Sequence, residues 1–222
     1  VAGPKQLLYG LGAIKGVGSV AAESMIHERY TNGKYIDFMD FIKRIDSRVV
    51  NKRVLESLTL GGAFDGLTNL NRANFFKETN NQTFIEEVIQ FRIQFSKNNE
   101  SNTQLEMFDK KTMTTMTQEP ILTNTEEWGR FELLNKEKDV LGIYISGHPL
   151  DDYSLEVKQF CSHQIKDIDM FNAPITNFTF SGYLHSHTEK MSKNDKPYGV
   201  FVLEDYSGAR EFRLFSDNYI QF

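Results

Sequence analysis

The residues best suited to chemistry in this 222-residue chain are glycines. Gly16 and Gly18 flank Val17 at the end of Gly10-Leu11-Gly12-Ala13-Ile14-Lys15-Gly16-Val17-Gly18, a run that leads straight into a segment with helical spacing. Where a residue has no Cβ, backbone amides can come close to an anionic oxygen. The unpaired N–H groups and positive end of the following helix then attract the charge. A turn of this kind would hold a sugar-phosphate backbone without reading bases. In that role Val17 is the inward anchor, Ser19 a first-turn hydrogen-bond donor and Lys15 a neighbouring cation. The plainer alternative is a tight turn that merely joins two packed helices.

A second stretch has the same form. Asn51-Lys52-Arg53 opens a helix that stops at Gly61-Gly62-Ala63-Phe64-Asp65-Gly66, and Asn71-Arg72-Ala73 opens the next. Two such units fit a tandem helix-hairpin-helix arrangement, with Lys52, Arg53 and Arg72 as further cations for duplex DNA. Asp65 would repel a phosphate, so the second unit reads as mainly structural.

Other reactive groups make no catalytic constellation. His185 and His187 share a face at i, i+2 on a predicted strand, but they lack a nearby cysteine or a clear third ligand. Glu126-Glu127, Asp151-Asp152 and Glu204-Asp205 are adjacent pairs, which point apart and read as caps, turns or solvated surface. His148, before Pro149, would set chain direction or cap a helix, and Trp128 is a packing anchor. No metal or cofactor is expected in this chain.

Composition sets the frame. With 40% hydrophobic residues the chain can bury a core. Its single cysteine, Cys161, excludes an internal disulfide framework and a zinc site of several thiolates, which points to a reducing, cytoplasmic setting. Neither a leader pattern nor an apolar run of membrane-spanning length is present. The net charge of -5 counts against nucleic-acid binding, yet residues 1–66 carry nine Lys or Arg against seven Asp or Glu, which leaves -7 for the rest. DNA contact is therefore expected first in the N-terminal part.

Apolar spacing predicts helices over Gly18–Arg29, Asp37–Asp46 (Phe38, Phe41, Ile42 and Ile45 on one face) and Asn51–Leu60. A long helix is expected from about Asn71 to Lys97, and a polar linker from Asn98 to Asn124. Helix returns over Thr125–Val140, with Phe131, Leu134 and Leu141 on one side, and again from Pro149 to near Cys161. Alternation then predicts strands from Ile175, over Tyr198–Leu203 and over Glu211–Phe215. Short turns at Glu189–Lys196 and Asp205–Gly208 make them antiparallel.

Several segments, in order, resemble the C-terminal half of the bacterial DNA polymerase III alpha-subunit family, the C-type replicative polymerases. They are Tyr9 to Gly18, Asn51-Lys52-Arg53-Val54-Leu55-Glu56, Gly62-Ala63-Phe64-Asp65, Leu141-Gly142-Ile143-Tyr144, Ser146-Gly147-His148-Pro149-Leu150 and Leu203-Glu204-Asp205-Tyr206-Ser207-Gly208. The resemblance implies a multidomain α + β chain: a tandem helix-hairpin-helix and helical clamp-binding domain followed by a partial OB-fold β-barrel. It divides into a duplex-binding region (1–98), a mobile linker (99–124), a helical connector (125–172) and the start of the OB fold (173–222). Gln104-Leu105-Glu106-Met107-Phe108 resembles the family's internal clamp-binding pentapeptide, with Leu105, Met107 and Phe108 as apolar anchors. Tyr198, Phe201, Arg213 and Phe215 are candidate single-stranded DNA contacts.

The implied partners are duplex DNA, the beta sliding clamp, single-stranded template and other polymerase III holoenzyme subunits, with no membrane. The family's magnesium-binding catalytic carboxylates belong to an earlier part of the parent, which the resemblance makes a DNA-directed DNA polymerase. The competing reading is a repair or recombination factor that combines helix-hairpin-helix and OB elements without a clamp. A free-standing nuclease would need clustered carboxylates or an activated nucleophile.

Overall fold

The computed structural model describes residues 8–105, 118–121, 124–170, 178–215 and 218–219. The chain divides into two compact units, Val1–Ile145 and Ser146–Phe222.

In the first unit, helices α1 (Ser19–Asn32), α2 (Phe38–Arg44) and α3 (Lys52–Leu60) lie where apolar spacing placed them. Their ends are chemically marked. The Asp37 carboxylate accepts from the Asp40 amide at 2.7 Å and the Asn51 side chain from the Val54 amide at 3.2 Å, so each caps a helix start. Arg44 takes up the carbonyls of Gly33 (2.8 Å) and Lys34 (3.2 Å) beyond the end of α1, and Arg92 donates to the Ile45 carbonyl beyond α2. Phe38, Phe41, Ile42 and Ile45 are all buried. Phe38 meets Phe64 and Phe75 edge-on, at centroid distances of 5.0 and 4.9 Å, an arrangement favoured by the ring quadrupoles.

The expected helix over Asn71–Lys97 is instead three elements. A 3-10 segment spans Arg72–Phe76, the short strands β1 (Glu78–Thr79) and β2 (Gln82–Thr83) pair as a hairpin, and α4 then runs over Phe84–Leu105, past the expected stop at Lys97. Asn80 and Asn81 both take positive φ (53° and 62°), the conformation of a two-residue hairpin turn that Asn tolerates. A capping box then starts α4: the Glu86 carboxylate accepts from the Thr83 amide (2.8 Å), and the Glu86 amide donates to the Thr83 hydroxyl (3.4 Å). Phe84, Ile85, Val88 and Phe91 of α4 join the core.

Helix α5 (Arg130–Leu141) begins five residues later than expected, at an extended Gly129. Leu134 and Leu141 are buried, but Phe131 is 45% exposed and does not join them. Before it, the chain is fastened to the unit by Asn74, whose side chain accepts from the Thr125 amide at 2.6 Å, and by an ion pair between Lys43 and Glu119. Trp128 packs on Phe76 at 5.4 Å, with the Lys136 ammonium over its ring.

The described residues of the second unit form α6 (Ser154–Phe160) and an antiparallel sheet in the order β3 (Tyr183–Met191), β4 (Pro197–Asp205), β5 (Gly208–Phe215). The strand expected from Ile175 forms later. Its first residues lie outside those described, Phe178–Phe180 is not in a strand, and pairing begins at Tyr183. A break in register between Leu184 and Ser186 leaves His185 unpaired, so His185 and His187 lose the simple alternation that would put them on one face.

The motif around His148 meets the β4–β5 turn. The His148 amide donates to Asp151 (2.6 Å), the Tyr206 hydroxyl donates to the same carboxylate (2.9 Å), and the two rings meet tilted by 34°, 4.4 Å between centroids. The Leu150 amide donates to His148 Nδ1 at 3.1 Å, which requires the neutral Nε2–H tautomer. Burial holds the imidazole below its ordinary pKa.

Candidate nucleic-acid interface

The Gly16-Val17-Gly18 turn is built by burying one residue and exposing its neighbours. Ile14 and Val17 are buried (5% and 3% exposed), while Lys15, Gly18 and Ser19 are exposed. The Val17 amide closes the turn on the Ile14 carbonyl at 2.9 Å, and Gly16 adopts a φ of +93°, a region open to glycine at little cost.

Two supports fix the turn. The Lys15 amide donates to the Val140 carbonyl (2.8 Å) and the Tyr9 hydroxyl to the Leu141 carbonyl (2.6 Å), so the end of α5 lies beneath it. A Cβ on Gly16 would stand 2.5 Å from the Ser57 hydroxyl and 3.4 Å from Arg53 Nε. Helix α3 thus packs directly on the turn, and Gly16 is required for that packing as well as for its dihedral.

Gly18 differs. It is the extended N-cap of α1, no side chain caps the helix, and a Cβ there would meet nothing within 4 Å. No side chain thus caps the first-turn amides of α1, and the space beside Gly18 is open. Lys15 within the turn and Arg53 beside Gly16 are both exposed, so the structure joins the first hairpin to the first turn of α3.

Two other expected cations are engaged within the protein. Lys52 pairs with Glu86 at 2.8 Å and with Glu56 at 3.7 Å, and the Glu86 contact raises its pKa. Arg72, expected to contact DNA, lies in a structural hub with only 12% of its side chain exposed. It bridges Asp65 (2.5 Å), buried Glu137 (3.0 Å) and the Leu60 carbonyl (3.1 Å). Burial works against its charge, but Asp65 and Glu137 outweigh that and raise its pKa. Gly62, at a φ of +76°, leaves room for this guanidinium.

Glu137 itself escaped sequence reasoning. It is 1% exposed and also accepts from the Ile145 amide at 2.6 Å. The available signal was a carboxylate three residues after Leu134 and four before Leu141, on the apolar face of α5.

The expected single-strand contacts divide between two faces of the sheet. Tyr198 pairs with Phe215 and stacks on it at 5.0 Å, Lys190 is in register with Tyr198, and Arg213 follows on the same face, paired to Glu211 at 2.7 Å. Phe201 lies on the opposite face, in a stack with Phe212 (5.4 Å) that continues to Phe180 (5.5 Å). All three rings of that stack are half-buried.

Gln104 and Leu105 lie in the last turn of α4, and Glu106, Met107 and Phe108 lie outside the described residues. Among the described residues no group of three or more His, Cys, Asp or Glu is placed to hold a metal ion. No helix among them is long and apolar enough to cross a membrane.

A buried hydrophobic residue between two glycines, at an uncapped helix start, defines the helix-hairpin-helix class, and residues 2–75 match the family described as helix-hairpin-helix motif. Across 95% of its length the chain is 35% identical to the DNA polymerase III subunit alpha of Borreliella burgdorferi. The corresponding proteins of Haemophilus influenzae and Campylobacter jejuni match at 31% over 98% and 32% over 97% of the chain. The chain belongs to the DNA polymerase III alpha-subunit family. It spans 17–18% of the length of these curated relatives.

Proposed function

We propose that this chain is the portion of a DNA polymerase III alpha subunit that holds duplex DNA and supports processive chromosomal replication. The observation that carries this reading is the open approach to Gly18 and the uncapped start of α1, next to Lys15 and Arg53. Backbone amides at such a site would bind phosphate oxygens, and the two cations would replace condensed counterions. Lys52 contributes less, because Glu86 already neutralises it.

The finer assignments rest on the same family membership. Gln104 to Phe108 would dock on the beta sliding clamp, a ring whose tether raises the polymerase's effective concentration at the primer end. The antiparallel meander β3–β4–β5 supports a partial OB barrel, and its Tyr198, Phe215 and Arg213 face would take unstacked template bases. Nucleotidyl transfer and contacts with other holoenzyme subunits would belong to the longer protein. The reading as a clampless repair factor is less well supported, given the matched relatives.

The test is a titration of the chain with two unrelated duplexes at several salt concentrations. Backbone recognition predicts equal affinity for both and a linear fall of log K with log salt, steeper by about 0.9 for each phosphate neutralised. Strong preference for one sequence, or no salt dependence, would remove the phosphate assignment.

A further inference from the structure

We propose that a cleft in the first unit, separate from the glycine turn, is a docking site for an acidic, apolar-anchored helix of a partner protein. The cleft encloses about 710 Å³ between α1 and the segment Ala63–Leu67. Its floor is the outer surface of core side chains, chiefly Met25, Phe41, Leu58 and Phe64. At its edge Leu8, Ile26 and Tyr30 remain 73%, 44% and 92% exposed. An apolar depression with an apolar rim is the surface into which one face of an amphipathic helix fits.

Charge selects the occupant. Arg29 and Lys34 line the cleft, no carboxylate does, and neither cation has an ion-pair partner among the described residues. The nearby carboxylates are committed elsewhere: Glu28 and Asp40 both bind Arg44, at 3.0 and 2.9 Å. An uncompensated positive rim over an apolar floor favours acidic residues flanking apolar anchors and disfavours a basic partner. A nucleic acid fits less well, because the floor is buried apolar core surface and two cations neutralise little backbone.

The probe is a fluorescein-labelled synthetic helix with leucines at i, i+3, i+4 and i+7 and glutamates between them. Its counterpart carries lysine for each glutamate. Titrated against the chain, the acidic peptide is expected to bind more tightly by on the order of tenfold or more. The double substitution Arg29→Glu, Lys34→Glu should reverse that preference, and Ile26→Asp should abolish binding by either peptide. All three positions are exposed, and unchanged melting of the variants would show that the fold is retained. Equal binding of both peptides, or no binding of the acidic one, would overturn the proposal. So would displacement of the peptide by a single-stranded oligonucleotide, or peptide-sensitive self-association of the chain.

Discussion

The Lys15 amide donates to the Val140 carbonyl at 2.8 Å, and through this bond the glycine turn rests on the end of α5. The turn is thereby fixed from below by α5 and from the side by α3, so its two glycines have different duties. Gly16→Val should destabilise the first unit: positive φ costs a branched residue about 1–2 kcal/mol, and the clash with Ser57 adds to it. Chemical denaturation should show a lowered midpoint, and an unchanged midpoint would mean that α3 does not pack on the turn as described.

Arg72→Ala should act on stability and not on DNA directly. It leaves Glu137 buried without its cation, a change that typically costs about 3–5 kcal/mol. The double variant Arg72→Met, Glu137→Met should recover much of the loss, because it removes both charges. If Arg72→Ala melts like the parent yet binds duplex poorly, Arg72 contacts DNA after all.

These contrasts show where sequence was informative. Phe38, Phe41, Ile42 and Ile45 announced α2 by spacing alone, and Gly16-Val17-Gly18 announced its turn, because both patterns are local. The β1–β2 hairpin was hidden behind the strong helical stripe of Phe84, Val88 and Phe91 that follows it, although Asn80-Asn81 and the Thr83–Glu86 box carried the correct signal. Which cations face solvent was not legible. Lys52 and Arg53 are neighbours in sequence, and only the packing of α4 engages one and leaves the other beside Gly16. That Tyr198 and Phe201 lie on opposite faces follows from alternation, but their partners Phe215 and Phe212 depend on strand register, which one sequence does not reveal.

Acid should loosen the second unit. Burial keeps the folded-state pKa of His148 below its ordinary 6.5, so the unfolded chain takes up the proton first. This contribution is fully present above about pH 6.5 and declines as pH falls toward the folded-state value. Protonation would also place a hydrogen on Nδ1, where the Leu150 amide now donates. Melting curves between pH 7 and pH 5 should show a steeper loss for the parent than for His148→Phe; identical slopes would contradict this account.

For the proposed clamp contact, Leu105→Ala combined with Phe108→Ala should weaken binding to a bacterial sliding clamp by on the order of a hundredfold. Each buried anchor is worth about 1.5–3 kcal/mol. Duplex binding should stay near its original value. Full clamp affinity in the double variant would withdraw the pentapeptide from the proposal.

The most direct measurement compares duplex affinity of the parent chain with Gly18→Val, by fluorescence anisotropy on two unrelated sequences. Gly18 has an ordinary φ of -72° and open space where a Cβ would stand, so the variant should fold and melt like the parent. A side chain there would nonetheless stand in the path of a phosphate approaching the start of α1. The account predicts a loss on the order of tenfold or more on both duplexes alike. Unchanged affinity in this folded variant would contradict a phosphate site at the glycine turn.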